Sequence, residues 1–115
     1  MIGGIDGFPL VLDLKGIEYS RIRVTTEGVG TLHFDQFEIW RLGDAGWQNI
    51  ARRRSTWQSS TWGTAHGPET AVNGLISGDA GPHTHHEPHP TWELDFGTME
   101  ACDFLVLFNR IRYHA

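Results

Sequence analysis

The chain has 115 residues and a net charge of −5, from 9 Lys+Arg against 14 Asp+Glu. That length holds one domain at most, and the acidic balance argues against a nucleic-acid backbone as partner. No apolar run approaches the roughly 20 residues of a membrane-spanning helix, the opening MIGGIDGFPLVLDL lacks the basic segment of a secretory signal, and Cys102, the one cysteine, excludes an internal disulfide.

Taken in chain order, the periodicity reads as strands joined by turns. PLVLDL alternates, with Leu10, Leu12 and Leu14 on one face and Val11 and Asp13 on the other. YSRIRVT repeats the pattern, with Ile22 and Val24 inward and Arg21 and Arg23 outward. In TLHFDQFEIW the apolar phase slips between Leu32/Phe34 and Phe37/Ile39, which predicts a bulge near Asp35 and Gln36. RLGDAGWQN, polar and carrying two glycines, reads as a linker between strand-rich halves. GPETAVNG predicts one short helical turn: Pro68 suits the first helical position, Glu69 the positive end and Gly74 the left-handed stop. TWELDF buries Trp92, Leu94 and Phe96 and exposes Glu93 and Asp95, and the continuous FLVLF run (104 to 108) predicts a strand covered on both sides. Short strands separated by Gly and Pro make this an all-β chain, a β-sandwich or jelly roll.

The densest chemical signal is GPHTHHEPHP, residues 81 to 90, which holds His83, His85, His86 and His89. Its prolines forbid a helix, and adjacent His85 and His86 cannot both point inward from extended chain, so a zinc cluster is disfavoured. No G-x-S-x-G elbow or Walker loop is present, and Glu93 and Asp95 share the outer face of one strand, so no catalytic set assembles and the chain reads as a non-enzyme. Cys102, at the entry of an apolar strand, reads as a small core residue. Trp57 and Trp62 read as core rather than rim aromatics.

NIARRRSTWQSSTW, AVNG, HT, PTWELDFG and LFNR, in that order, resemble the opening half of a discoidin domain, the coagulation-factor type C family that includes fucose-binding lectins and carbohydrate-binding modules. The resemblance covers residues 49 to 115. GGIDGFPLVLDLKGIEYSRIRVTTEGVGTLHFDQFEIW resembles the closing half of the same family. The halves therefore stand in reversed order: closing strands in 1–42, a linker at 43–48 and the opening half in 49–115. Either a circular permutation or a fragment spanning two tandem copies produces that order, and the missing middle strands favour the fragment. The resemblance implies a discoidin-like jelly-roll β-sandwich, permuted or truncated, with one short helical turn.

It also implies a ligand. The fucose-binding lectins place twenty-six residues between a histidine and an arginine, and His83 and Arg110 stand at that spacing. Both can donate to sugar hydroxyls while an aromatic, here Trp92, covers the apolar face of the ring. Arg112 occupies the position of the lectins' aspartate, so fucose itself is not implied, although a glycan is. The lectins' structural calcium falls here on Thr70, Asn73, Leu75 and Gln36, where neutral Asn73 and Gln36 replace the usual carboxylates and imply a weak site. The expectation is a non-catalytic carbohydrate-binding module contacting glycan through His83 and Arg110. The alternative within the family is a protein- or phospholipid-interaction module, for which Trp57 and Trp62 beside Arg52 to Arg54 are the membrane-facing residues. A strand-swapped homodimer through exposed sheet edges, or a place in a larger multidomain protein, fits the missing strands. The family is mostly extracellular, and the residues themselves fix no compartment.

Overall fold

The structure is a computed structural model, and it describes residues 9–76 and 81–109. Its seven strands are β1 (Leu10–Thr25), β2 (Val29–Gly30), β3 (Gln36–Gly43), β4 (Gly46–Asn49), β5 (Ser55–Gln58), β6 (Glu87–Pro88) and β7 (Thr91–Phe108). One 3₁₀ turn, Pro68–Val72, lies between β5 and β6. All pairings are antiparallel.

β7 organises the molecule because it is long enough to serve three partners. Its first half pairs β1 through Val24↔Trp92 on one edge and β5 through Gln58↔Trp92 on the other. Its second half pairs β1 through Leu10↔Leu107 and β3 through Phe37↔Leu107. The five-stranded sheet runs β1-β7-β3-β4, with β5 beside β7, and β2 and β6 form a separate two-stranded ribbon. The chain is thus all-β, a sandwich-like arrangement of antiparallel sheets. The early and late parts of the sequence share one sheet and one core.

Alternation sets the inner face. Trp92, Leu94, Leu105 and Leu107 of β7 and Phe37 and Ile39 of β3 are buried there, capped by Leu32, Phe34, Ile50, Ala51, Ala71 and Val72 from the loops and the 3₁₀ turn. Trp92 is the centre of this core at 0% exposure. Phe34 meets it edge-on at 5.3 Å and Phe37 lies at 4.7 Å, while its Nε1–H donates to Pro68 O at 3.0 Å. An indole buried with its polar atom satisfied contributes roughly 3–5 kcal/mol by the usual cost of truncation. Cys102 is fully buried within β7, and burial, reinforced by Glu100, pushes its thiol up, so it is a core residue and no nucleophile.

Arg21 and Arg23 do face outward, pairing with Glu93 and Asp95 across the sheet at 2.9–3.3 Å. Four expectations need correction. The phase slip at Asp35–Gln36 is a bend between a loop and the start of β3, not a bulge inside a strand; the register shifts lie instead between Asp13 and Ile17 and between Tyr19 and Arg21 of β1. The 43–48 segment is no linker: Gly43 pairs Gly46 across a two-residue turn, closing the β3–β4 hairpin. FLVLF is covered on one side only, because Phe104, Val106 and Phe108 are half-buried while Leu105 and Leu107 are buried. Trp57 and Trp62 are not core residues, at 54% and 52% exposure. The 3₁₀ turn and the left-handed Gly74 (φ 84°) match the helical-turn expectation.

Candidate functional site

The histidine-rich segment divides along its length. His85, His86 and His89 are exposed. His83 is half-buried and pinned from three sides: its N–H donates to His66 O, its carbonyl accepts from Trp62 N–H, and it bridges His33 in an isolated β-bridge. Thr84, 1% exposed, anchors the next position, its hydroxyl accepting from Leu32 N–H and its own N–H donating to Leu32 O. Gly81 begins the segment where no side chain fits, since a Cβ there would lie 1.9 Å from Phe34 O and 2.8 Å from Asp35 O.

These constraints gather four rings. His83 stacks on His33 with centroids 5.3 Å apart and planes 17° from parallel. Trp62 lies 5.0 Å from His83 and 5.6 Å from His66, and His66 lies 5.7 Å from His83. His66 Nδ1–H donates to Gly81 O and His83 Nδ1–H donates to Thr84 O, each at 2.8 Å. Of the two tautomers of the neutral ring, those bonds select the one with the lone pair on Nε2. Gln58 braces the loop beneath, its Nε2 donating to Thr61 Oγ1 and His66 O. Beside the cluster, Ser59 and Ser60 hydroxyls both donate to Glu87 Oε2. Ser60 Oγ also accepts from His85 N–H and Ser59 Oγ from Thr91 N–H, which ties the 59–60 turn to the histidine loop. The Ser60 bond, then the Ser59 bond, hold the Glu87 carboxyl below its usual range; burial opposes them, and His85 contributes a lesser lowering.

The arrangement offers a half-exposed indole face flanked by imidazoles, which suits a ligand with an apolar face and hydroxyl donors or acceptors. It is not a metal cage: among the described residues no three His, Cys, Asp or Glu side chains are disposed to hold an ion. Glu93 and Asp95, the carboxylates of the neighbouring strand, are committed to Arg21 and Arg23.

Of the residues expected to touch glycan, His83 is in this cluster. Trp92 is not: it is sealed in the core, and no ligand reaches it without unfolding the sheet. Arg110 and Arg112 lie outside the described residues. Sequence reasoning missed His33 and His66, which stand far from the 81–90 run and carry no spacing signal of their own, and it placed Trp62 in the core.

The expected calcium ligands do come together, around a different centre. Gln36 Nε2 donates to Thr70 O, Asn73 Oδ1 and Asp35 O, and Gln36 Oε1 accepts from Gly74 N–H. Leu75 N–H donates to Asn73 Oδ1. The amide nitrogen thus stands where a cation would, and it already satisfies the oxygens. Turning the amide over would set its oxygen against three acceptors, so the network fixes its orientation. These residues, with no carboxylate among the four, do not fit calcium. A scan against protein-family models, a search of curated proteins and a search of solved structures each return no match to this chain.

Proposed function

We propose that the chain is a non-catalytic carbohydrate-binding module whose ligand rests on Trp62 and is held at its edge by His83 and His66. The observation that carries this reading is the half-exposed Trp62 ring with both imidazoles packed about 5–6 Å from it. A pyranose presents C–H bonds on one face and hydroxyls around its rim, so it pairs with an aromatic plane bordered by imidazole nitrogens. The discoidin-like order of motifs supports the same ligand class and adds Arg110 as a second contact. Glycan-array binding by wild type, Trp62→Ala, His83→Ala and Arg110→Ala tests it. The expected result is loss of signal in all three variants, with Trp57→Ala unchanged. Signal indifferent to Trp62 and His83 overturns the reading.

Exposure of both Trp57 and Trp62 beside a turn rich in arginine favours a second reading, a phospholipid-interaction module. Co-sedimentation with phosphatidylserine vesicles at low salt, lost in Trp57→Ala, is its expected signature.

A further inference from the structure

The outer face of the five-stranded sheet carries a second aromatic surface that shares no residue with the ring cluster. Trp40 of β3, Trp47 of β4 and Phe104 and Val106 of β7 line an apolar hollow of about 320 Å³ together with Val11 of β1. Trp47 packs against Phe104 at 5.7 Å and remains 53% exposed. The same two indoles also line a larger cavity, about 670 Å³, together with Gln48, Asn49, Arg52 and Arg53. The two tryptophans are therefore shared by an apolar hollow and a polar one.

The polar hollow is built to donate. Asn49 Oδ1 already accepts from Ile39 N–H and Ala51 N–H, which leaves its NH₂ as the group to offer a ligand. Arg52 and Arg53 are exposed, and among the described residues neither has an ion pair. Among the described residues no carboxylate lines this cavity. Glu38, nearby on β3, accepts from Trp40 Nε1–H at 2.8 Å. Two arginines without acidic partners among the described residues are unexpected in a chain of net charge −5.

Their backbone is held in place. Arg53 has φ 62°, a left-handed conformation uncommon for a non-glycine residue, and its N–H donates to Val72 O at 2.9 Å. The Arg52 guanidinium lies against Gly74, so close that a Cβ at Gly74 would meet its Nε at 2.9 Å. Arg53 also lines a third hollow, of about 490 Å³, with Arg54, Glu69, Val72, Asn73 and Leu75. Arg53 is thus common to both hollows, and the second one also carries the Glu69 carboxylate.

We propose that the Trp40–Trp47–Arg52–Arg53 groove binds an acidic saccharide, with a sugar ring on the exposed indole of Trp47 and its carboxylate or sulfate on the two guanidinium groups. Charge and shape both select this occupant. A planar guanidinium matches a carboxylate or sulfate two oxygens at a time, an indole matches the C–H face of the ring, and the amides of Gln48 and Asn49 match hydroxyls. The site stands apart from the Trp62 cluster, and the two are tested separately.

The test is calorimetric titration of the full chain with a heparin-derived hexasaccharide and with hexagalacturonate, using maltohexaose as the neutral control. The expected result is binding of at least one acidic hexasaccharide, weakened by raised salt. Trp47→Ala, and separately Arg52→Gln with Arg53→Gln, weaken it by about tenfold or more. All these positions are exposed or half-exposed, and unaltered thermal melting shows that the fold is retained. The proposal is overturned if neither acidic hexasaccharide binds, if maltohexaose binds as tightly, or if binding survives loss of Trp47. It is equally overturned if phosphatidylserine vesicles bind with the same dependence on Trp47 and Arg52 and the saccharides do not.

Discussion

Gln36 donates its side-chain N–H to Asn73 Oδ1 at 3.0 Å, and the same nitrogen faces Thr70 O and Asp35 O. Three oxygens, one from the residue before it and two from the 3₁₀ turn and its cap, converge on one amide. Gln36 is 1% exposed, so this amide carries its partial positive charge inside the protein, where hydrogen bonds are stronger and unpaired groups more costly. The 3₁₀ turn and the start of β3 are fastened together by an amide in place of an ion.

Gln36→Glu replaces that donor with a fourth oxygen facing the other three, while the second carboxylate oxygen keeps the Gly74 N–H. A buried carboxylate set against three oxygens costs about 3 kcal/mol, and a divalent cation is the group that relieves it. The variant is expected to melt lower than wild type in a chelator and to regain stability in millimolar calcium, while wild type melts alike in both. Equal melting of variant and wild type in chelator would count against the amide's role, and a calcium-dependent rise in wild type would show that the native site binds the ion after all.

Gly81→Ala tests the entry to the ring cluster. The new methyl group would meet two backbone oxygens, Phe34 O and Asp35 O, neither of which can swing aside like a side chain. Moving them disturbs Phe34, which packs on Trp92, and Asp35, whose N–H donates to Phe108 O. The expected loss is about 3 kcal/mol, read by chemical denaturation, with lost glycan signal as a second consequence because Gly81 O positions His66. Gly97→Ala is the control, since only its positive φ of 76° is at stake and nothing lies within 4 Å of the added carbon. A Gly81→Ala cost no larger than that control would refute the close-packing account.

Much of the sheet is legible in the sequence where one face is covered and the other wet. Ile22 and Val24 against Arg21 and Arg23 is such a case, because burial and ion pairing with Glu93 enforce the same two-residue period. The FLVLF run misleads for a physical reason: periodicity reports that both faces are apolar, not that both are covered, and the outer face is the aromatic wall of Trp40, Trp47 and Phe104. The GDAG turn reads as a linker by composition, yet flanking Leu42 and Trp47 pair across it, a contact that composition does not encode. Of the ring cluster only His83 is marked locally. His33 reaches it through a β-bridge and His66 through a carbonyl contact with Gly81, both products of tertiary packing across 50 and 15 residues. Gln36, Thr70, Asn73 and Leu75, brought together in the sequence only by the resemblance, do lie in one network, but only the side-chain geometry shows that an amide fills its centre.

Glu87 supplies a pH test of the loop that carries the histidines. The Ser60 and Ser59 hydroxyls donate to its ionised form and so depress its folded-state pKa. A carboxyl depressed in the folded state contributes stability that is fully present above its unfolded pKa, about 4.3, and is lost as pH falls through the lower folded value. Glu87→Gln keeps a carbonyl acceptor for one serine but removes the charge. The variant is therefore expected to melt below wild type at neutral pH, with the gap narrowing from about pH 4 downward. His85 and its neighbours should loosen in parallel at neutral pH, since His85 N–H donates to the same Ser60 that Glu87 holds. Thermal melts across the acid range, with amide exchange at His85, decide it. A gap that stays constant from neutrality to acid would mean that the serines bind either protonation state equally and that the carboxylate does not hold the loop.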